Sequence, residues 1–597
     1  MVEAKHFVST LIRFFLVPPT APFPSAPTPA LQPVRSVVSP GRLPHFPPLL
    51  PVVLTLVLTA IGLSVVFAWL FPPATAADAP ALRFTDVTAE SGLRFTHQQG
   101  GAESPTTLGG AVTVLDFNGD GRPDLFFVNG APWPWEESLD KGLTRSSALF
   151  RNDGGGRFTD VTASAGLNGA MQGMAAVAGD FDNDGRPDLF VSCVGLNHLF
   201  RNLGNGRFED VTESAGVGGD DNTWSTGAAW VDVDGDGRLD LIVLHYARWP
   251  REVGLAQAFV IADIGRSYGA PTGFVSTFPS VYHNLGDGRF ALLPDSAGLR
   301  DIDPETGRPV AEPIAIAPLD ANGDGRLDLL ITYHNSAPTL FLARASGTFE
   351  KQASGAGNRQ EGASASFASA SAFPLAANAD PRAQILPAFG PRPIPAADDQ
   401  PLALAGKLGV VLADFNLDGR TEIFSGQGAA ELHLNKFEPG RDFARVPAIW
   451  WQRGNDWQAL ARDAANAWAR PLTARGVAVA DFDGDGDLDV VIAQNNGSPV
   501  LLRNDQRSGL PWLRLQLVAT RSQPEAGGAR VEVHTPRRIF TQTVAPVLGF
   551  MAQSESTLTF GLGEDARVRK IVIQWPSGQT QELRPDALNR TLVIREP

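Results

Sequence analysis

Between residues 84 and 504 the chain alternates short apolar runs with one recurring polar turn. The runs VAVADF before the last turn, LDVVIA after it, and DLFFV and DLFVSCV after the first two are short and rich in Val, Ile, Leu and Phe. Their length, and the Gly and Asp residues that bound them, predict β-strands. The turns are DFNGDGRPD (116–124), DFDNDGRPD (180–188), DVDGDGRLD (232–240), DANGDGRLD (320–328), DFNLDGRTE (414–422) and DFDGDGDLD (481–489), and all share D-x-[DN]-x-D-G-x-x-[DE]. A second phrase recurs between them: LFRNDGGGRFTDVTASAGL (149–167), LFRNLGNGRFEDVTESAGV (199–217) and YHNLGDGRFALLPDSAGL (282–299). It reads as two strands joined by an Asn/Gly turn.

One repeat is therefore strand, acidic turn, strand, connection, strand, tight turn, strand. That is a four-stranded antiparallel sheet, and repeats at a period of tens of residues bury their faces by stacking on one another. Radial stacking gives a β-propeller. The phrase FTDVTAESGL at 84–93 precedes any acidic turn, and the sixth repeat ends at VLLRNDQ without such a strand. The first strand is thus expected to complete the last sheet, which closes the ring and removes an edge. The expected fold is all-β: a six- or seven-bladed propeller over 84–508, interrupted by a low-complexity insertion at 351–400, with a small C-terminal β domain at 509–597.

The acidic turns carry the chemistry. Each places three to five carboxylates within nine residues, an arrangement that repels itself unless a cation lies among them. Hard cations such as Ca²⁺ take six to eight oxygens from a flexible loop, and side chains at positions 1, 3 and 5 converge on one side of it. Position 6 is glycine in every copy, as a backbone passing through positive φ requires. The expected ligands are Asp116, Asn118, Asp120 and Asp124; Asp180, Asp182, Asp184 and Asp188; Asp232, Asp234, Asp236 and Asp240; Asp320, Asn322, Asp324 and Asp328; Asp414, Asn416, Asp418 and Glu422; and Asp481, Asp483, Asp485 and Asp489. An EF-hand needs its last acid at position 12 and helices on both sides, and these loops have neither. The expected cofactor is Ca²⁺ at about six sites, Mg²⁺ being less suited to a flexible shell. The competing reading is a set of metal-free Asp/Gly turns.

The chain has 597 residues and a formal charge of −15, which argues against nucleic acid as a partner because no basic surplus is available for phosphates. Six divalent cations would cancel most of that charge. One cysteine, Cys193, excludes an intrachain disulfide and lies in an apolar run as a core residue. Residues 1–48 are Pro-rich, and Leu49–Phe71 is uncharged and long enough to cross a bilayer. Basic residues before that span and their absence after it keep the N-terminus cytoplasmic. The expectation is a signal-anchor at 49–72, a linker at 73–83, and a periplasmic or extracellular body; the alternative is a signal cleaved near Ala76.

In a four-stranded blade the acidic turns and the Asn/Gly turns share one face. The long connections APWPWEESLDKGLTR (131–145) and HYARWPREVG (245–254) project from the other. Their Trp133, Trp135, Tyr246, Arg248 and Trp249 are candidate anchors for an extracellular protein or carbohydrate; the competing reading has them covering the ring's central opening. No HExxH, Cys/His cluster or phosphate loop occurs. The favoured function is a membrane-anchored, non-catalytic binding or adhesion module. The alternative is an exported hydrolase or lyase with a site in the channel.

These loops and the FRNDGxGxFTDVT phrase resemble the FG-GAP/VCBS repeat family, whose calcium-bearing propellers include the integrin α head. Beyond residue 509, GGARVEVHTP and GFMAQSESTLTFGLGEDARVRKIVIQWPSGQTQEL are similar to the ASPIC/UnbV domain, with QSES in place of its SQS-like run. Together they resemble the cartilage acidic protein family, which implies an architecture more firmly than an activity. Trp575 and Pro576 in the WPSG turn are read as a turn packed into the core of a small β sandwich, with a ligand groove as the alternative.

Overall fold

The computed structural model describes residues 80, 82–98, 109–131, 146–250, 260–261, 265–266, 275–334, 336, 338–352, 408–428, 442–453, 456–462, 466–506, 508–545, 549–565 and 567–597. The expected signal-anchor, the cleavage site near Ala76, Trp133, Trp135 and residues 353–400 of the insertion expected at 351–400 lie outside them; Lys351 ends the strand Thr348–Lys351. Among the described residues no helix is long and apolar enough to cross a membrane.

The described body is all-β and propeller-like. Six antiparallel four-stranded sheets follow one another along the chain. The first runs Val112–Leu115, Asp124–Phe127, Ala148–Gly154, Arg157–Asp160; the second Gly173–Gly179, Asp188–Cys193, His198–Gly204, Arg207–Asp210. The third comprises Thr223–Val231, Asp240–Arg248, Ser280–Asn284 and Phe290–Leu292, and the fourth Pro313–Leu319, Asp328–Tyr333, Thr339–Arg344 and Thr348–Lys351. The fifth has Leu408–Ala413, Glu422–Gly428, Ala448–Arg453 and Asp456–Ala459. The sixth has Ala474–Ala480, Asp489–Gln494 and Val500–Asn504, and its outer strand is Phe84–Asp86, paired Phe84 with Asn504 and Asp86 with Leu502. The first strands of the first, second, third and sixth sheets, such as GMAAVAG at 173–179, are buried along their whole length. Both faces of a strand are covered when sheets stack on each side of it.

Two devices lock neighbouring sheets together, and both use the recurring phrases. The phenylalanine at position 2 of an acidic turn packs against the phenylalanine of the next sheet's outer strand: Phe117 on Phe208 at 6.2 Å, Phe181 on Phe290 at 5.7 Å, Phe415 on Phe84 at 5.6 Å and Phe482 on Phe158 at 5.8 Å between ring centroids. Such pairs contribute about 0.5–1.5 kcal/mol beyond the area they bury. The asparagine of the FRN phrase supplies the second lock. Its Nδ2 donates to the position-2 carbonyl of the preceding sheet's turn: Asn202 to Phe117 O (2.8 Å), Asn284 to Phe181 O (2.8 Å), Asn504 to Phe415 O (2.9 Å) and Asn152 to Phe482 O (2.9 Å). The last of these joins the first sheet to the sixth. The fourth and fifth sheets have Ala343 and Gln452 at this position in place of asparagine; the Ala343 N–H still donates to Asp328 at 2.8 Å, as that of Asn202 does to Asp188 at 2.7 Å.

The C-terminal part is a second β unit on a core of its own. A three-stranded sheet (Leu558–Gly561, Trp512–Val518, Thr591–Arg595) and a four-stranded one (Ile539–Thr543, Arg530–His534, Lys570–Gln574, Thr580–Leu583) share a buried cluster that includes Leu515, Val531, Phe560, Ile573 and Trp575. Trp575 is therefore a core residue, its indole N–H donating to Gln581 at 3.1 Å. One segment leaves this core. Ala552–Gln553 pairs in parallel with Val112–Thr113, the inner strand of the first sheet. Gln553 exchanges hydrogen bonds with both backbone groups of Ala178 in the second sheet, and Ser554 and Glu555 bond Val479 in the sixth.

Candidate metal loops and their domain contacts

Each acidic turn joins the first and second strands of its sheet, and its backbone is organised by its own carboxylates. Position 1 accepts from amides of the turn: Asp180 Oδ1 from Asp184 N (3.0 Å) and Oδ2 from Gly185 N (2.7 Å), with the same pattern at Asp116, Asp232 and Asp320. The position-6 glycines have φ between 80° and 99°. Position 4 also takes positive φ, at Asn183 (58°) and Leu417 (59°) as well as at four glycines.

Position 9 is buried and has a structural task of its own. Asp188 accepts from Phe181 N (3.1 Å) within the turn and from Asn202 N (2.7 Å) on the third strand, and Asp124, Asp240 and Asp489 do the same. Asp328 bonds Ala321 N and Ala343 N, and Glu422 bonds Phe415 N. Position 5 is held by the arginine at position 7: Arg122 on Asp120, Arg186 on Asp184, Arg238 on Asp236 and Arg326 on Asp324. The sixth turn departs from this, because position 7 is Asp487, a fifth acid.

Three turns bring acids together with ligand oxygens within 4.8 Å of one another: Asp180, Asp182 and Asp184; Asp232, Asp234 and Asp240; Asp481, Asp483 and Asp489. His283, which stands where FRN has arginine, joins Asp234 and Asp236 in a fourth such group. In the first, fourth and fifth turns position 3 is Asn118, Asn322 or Asn416, and no such convergence of acids occurs there among the described residues. Burial, chiefly, pushes Asp124, Asp188 and Asp414 up to about 8 and Asp180, Asp240, Asp328 and Asp483 to about 6; the charges of nearby acids add to the effect. Neither carboxylate oxygen of Asp182, nor Asp414 Oδ1, has a hydrogen-bond partner although all three atoms are buried. Asp182 is charge-paired with Arg201 at 2.7 Å. Carboxylate oxygens that converge in this way fit a hard divalent cation, although at Asp182 the Arg201 guanidinium already supplies positive charge.

Sequence reasoning missed that the C-terminal domain lies across these turns. Gly561 and Gly563 of the FGLG turn press on the fifth: Gly563 N donates to Leu417 O at 3.0 Å, and a Cβ on Gly561 would collide with Asp414 and the Leu417 backbone. Arg514, with 7% of its side chain exposed, bonds both Asp481 of the sixth turn and Glu555. Glu525 meets the second turn, accepting from Asp180 N at 3.1 Å. A pocket of about 110 Å³ between the third and fourth turns and this domain is lined in part by Asp232, Asp234, Ala343, Gln523, Glu525 and Pro576. The one legible signal was Asp487, since an acid in place of the recurring arginine removes a cation that something else supplies.

The expected aromatic anchors are corrected in part. Tyr246 and Trp249 are buried, packed on Trp224 with ring centroids at 4.7 and 5.7 Å, and Tyr246 Oη is 2.6 Å from His334 Nδ1. The strand Asp240–Arg248 stays paired with Thr223–Val231 to its end, Ala247 opposite Trp224 and Arg248 opposite Thr223, which sets Tyr246 and Trp249 against Trp224. Arg248 alone of the three is exposed, 3.3 Å from Asp220.

The fold and these turns define a protein of FG-GAP-like repeats, matched at 116–191, 193–243 and 414–492, with an ASPIC and UnbV domain matched at 519–597. The chain is similar to cartilage acidic protein 1 of mouse and of human, each 25% identical over 325 residues. That match covers 53% of this chain but only 41% and 40% of those relatives. Among solved structures it is similar to an Agrocybe aegerita lectin that recognises non-reducing terminal N-acetylglucosamine (15% identity, 66% of this chain, 80% of that one, TM-score 0.29). It is also similar to the BP39L lectin of Burkholderia pseudomallei (12%, 66% and 96%, TM-score 0.30). At those scores neither likeness bears on function.

Proposed function

We propose that this chain is a membrane-anchored extracytoplasmic binding module in which a six-bladed, calcium-stabilised propeller is capped on its metal-loop face by its C-terminal domain. The observation that carries the reading is the placement of residues 551–555 along the inner strands of the first, second and sixth sheets, with the C-terminal domain seated on the turns. That placement supports a binding module over a hydrolase or lyase sited in the channel, with a partner on the opposite face. In the loops, Asp180, Asp182 and Asp184, Asp232, Asp234 and Asp240, and Asp481, Asp483 and Asp489 would hold Ca²⁺. Bound calcium supplies charge neutralisation for acids that otherwise repel; the reading assigns it no part in bond chemistry.

Support for export comes from the uncharged span at 49–71 and the basic residues before it. The partner is an extracellular protein or glycan, bound by the face that carries Arg248. The test is a glycan array and a pull-down with the full chain in millimolar calcium. Saturable capture that is lost with chelator is the expected result. Turnover of a captured glycan or peptide, or a melting temperature indifferent to chelator, would overturn it.

A further inference from the structure

The junction between the third and fourth sheets carries neither of the locks described above. Val233 stands where four other turns have phenylalanine, and Ala343 stands where Asn152, Asn202, Asn284 and Asn504 reach across to the preceding sheet. The smaller side chains leave the cavity of about 110 Å³, walled by Val233, Leu327 and Ala343 of the propeller and by Gln523, Glu525 and Pro576 of the C-terminal domain. The C-terminal domain covers this gap without filling it.

Two polar groups on its walls, one from each domain, are left over. Gln523 is 3% exposed; its Nε2 donates to Gly527 O at 3.2 Å, but its Oε1 has no donor among the described residues. Trp230, 2% exposed and part of the same lining, has an indole N–H with no acceptor among them. Buried groups of this kind are ordinarily paired, with protein, with water or with a ligand.

The chemistry of the walls narrows the ligand. It must accept from an indole N–H and donate to an amide oxygen. A carboxylate or phosphate has no such proton to give, and Asp232, Asp234 and Glu525 on the same walls repel it. The two arginines of the lining are already committed, Arg326 to Asp324 and Arg344 to Glu350. An ammonium donates but offers Trp230 no acceptor. A hydroxyl does both. The carboxylates take further hydroxyl protons, and Val233, Leu327 and Pro576 receive C–H faces. The volume is about three-quarters of the ~150 Å³ cavity that admits benzene, which leaves room for a short polyol or one edge of a sugar ring.

We propose that this cavity binds a neutral polyhydroxylated ligand, a short polyol or the end of a sugar, held between the third sheet and the C-terminal domain by Trp230 and Gln523. The site goes beyond the binding-module reading: it lies on the metal-loop face, away from Arg248, and stands whether or not the turns take calcium. A ligand that touches both domains stabilises their docked arrangement by mass action.

The test uses the full chain, with glycerol and the methyl glycosides of glucose, galactose and mannose as probes. Saturation-transfer NMR measures affinity, and amide exchange over 519–534 reports docking. At least one probe is expected to bind saturably and to slow that exchange. Gln523→Leu is expected to weaken binding about tenfold, the loss that removing one buried hydrogen bond brings. Ala343→Asn, which fills the cavity with the side chain four other sheets carry, is expected to abolish binding; it leaves the C-terminal domain unaltered in case Gln523→Leu loosens it. Failure of every probe to bind, with water as the only occupant, would overturn the site. Affinity unchanged in both variants would overturn it too, and would place the probe elsewhere, as on the face that carries Arg248.

Discussion

Replacing Asn202 by alanine removes one inter-sheet lock and no apolar contact of consequence. The side chain is fully buried and makes three hydrogen bonds: Nδ2 to Phe117 O at 2.8 Å and to Pro187 O at 3.1 Å, and Oδ1 from Gly204 N at 3.0 Å. Asn202→Ala leaves two carbonyls and one N–H without those partners, at about 1 kcal/mol each, so the loss is about 3 kcal/mol. Domains of 150–250 residues shift by ~2–4 °C per kcal/mol, and a larger cooperative unit by less, which puts the expected fall near 4 °C. Asn504 provides an internal scale. It makes two of these donor bonds, at 2.9 and 3.3 Å, but its Oδ1 has no partner, so Asn504→Ala is expected to cost about 2 kcal/mol. Scanning calorimetry of both variants, with exposed Glu209→Ala as control, measures the order. If Asn202→Ala melts with the control, or costs less than Asn504→Ala, the asparagine is not the lock described here.

Three other outcomes are expected. Ala343→Asn should install the missing lock between the third and fourth sheets and raise stability by about 1–2 kcal/mol; a lower melting temperature would show that the pocket beside Ala343 cannot admit the side chain. Gly561→Ala should loosen the C-terminal domain on the fifth turn, seen as faster exchange over 558–563 with the other sheets unchanged; exchange equal to wild type would refute the contact. The third concerns pH. Asp124, Asp188 and Asp414 have folded values raised to about 8, so the folded state holds protons that the unfolded state has released. Stability of the calcium-free protein should therefore fall as pH rises from about 4 to about 8, while calcium, by replacing those protons, should flatten the slope. A melting temperature that climbs across that window in chelator would contradict the assignment.

Much of the sheet architecture was legible because its signals are local. The strand runs, the turn spacing, the position-6 glycines and the unpaired FTD strand all concern residues within a few positions of one another. The locks were not legible in the same way. Asn202 reads as a turn residue in FRN, and only the fold brings it to Phe117, 85 positions away. Leu417 gives no sign that it adopts positive φ, a conformation a leucine takes only when its surroundings compel it. Here they do, since the residue is buried under Gly561 and Gly563. The aromatic cluster at 245–249 looked like a surface because its composition suits one. Composition does not say which way a strand extends, and Tyr246 and Trp249 faced the core. The acidic turns were readable as a pattern, but the task of position 9 in accepting from backbone amides depends on where the third strand's N–H groups fall.

The pairing of Phe84–Asp86 with Val500–Asn504 bears on biosynthesis. Among the described residues the earliest strand is bonded to one of the last strands of the six sheets, 420 residues later for the Thr85–Asp505 contact. A chain emerging N-terminus first must hold that strand in reserve while five sheets form beside it, and contacts so distant in sequence are slow to close. Until residue 504 is out, both ends of the array present open strand edges, the surfaces through which β proteins aggregate. Premature termination anywhere before that point should therefore yield insoluble product and not a smaller functional ring.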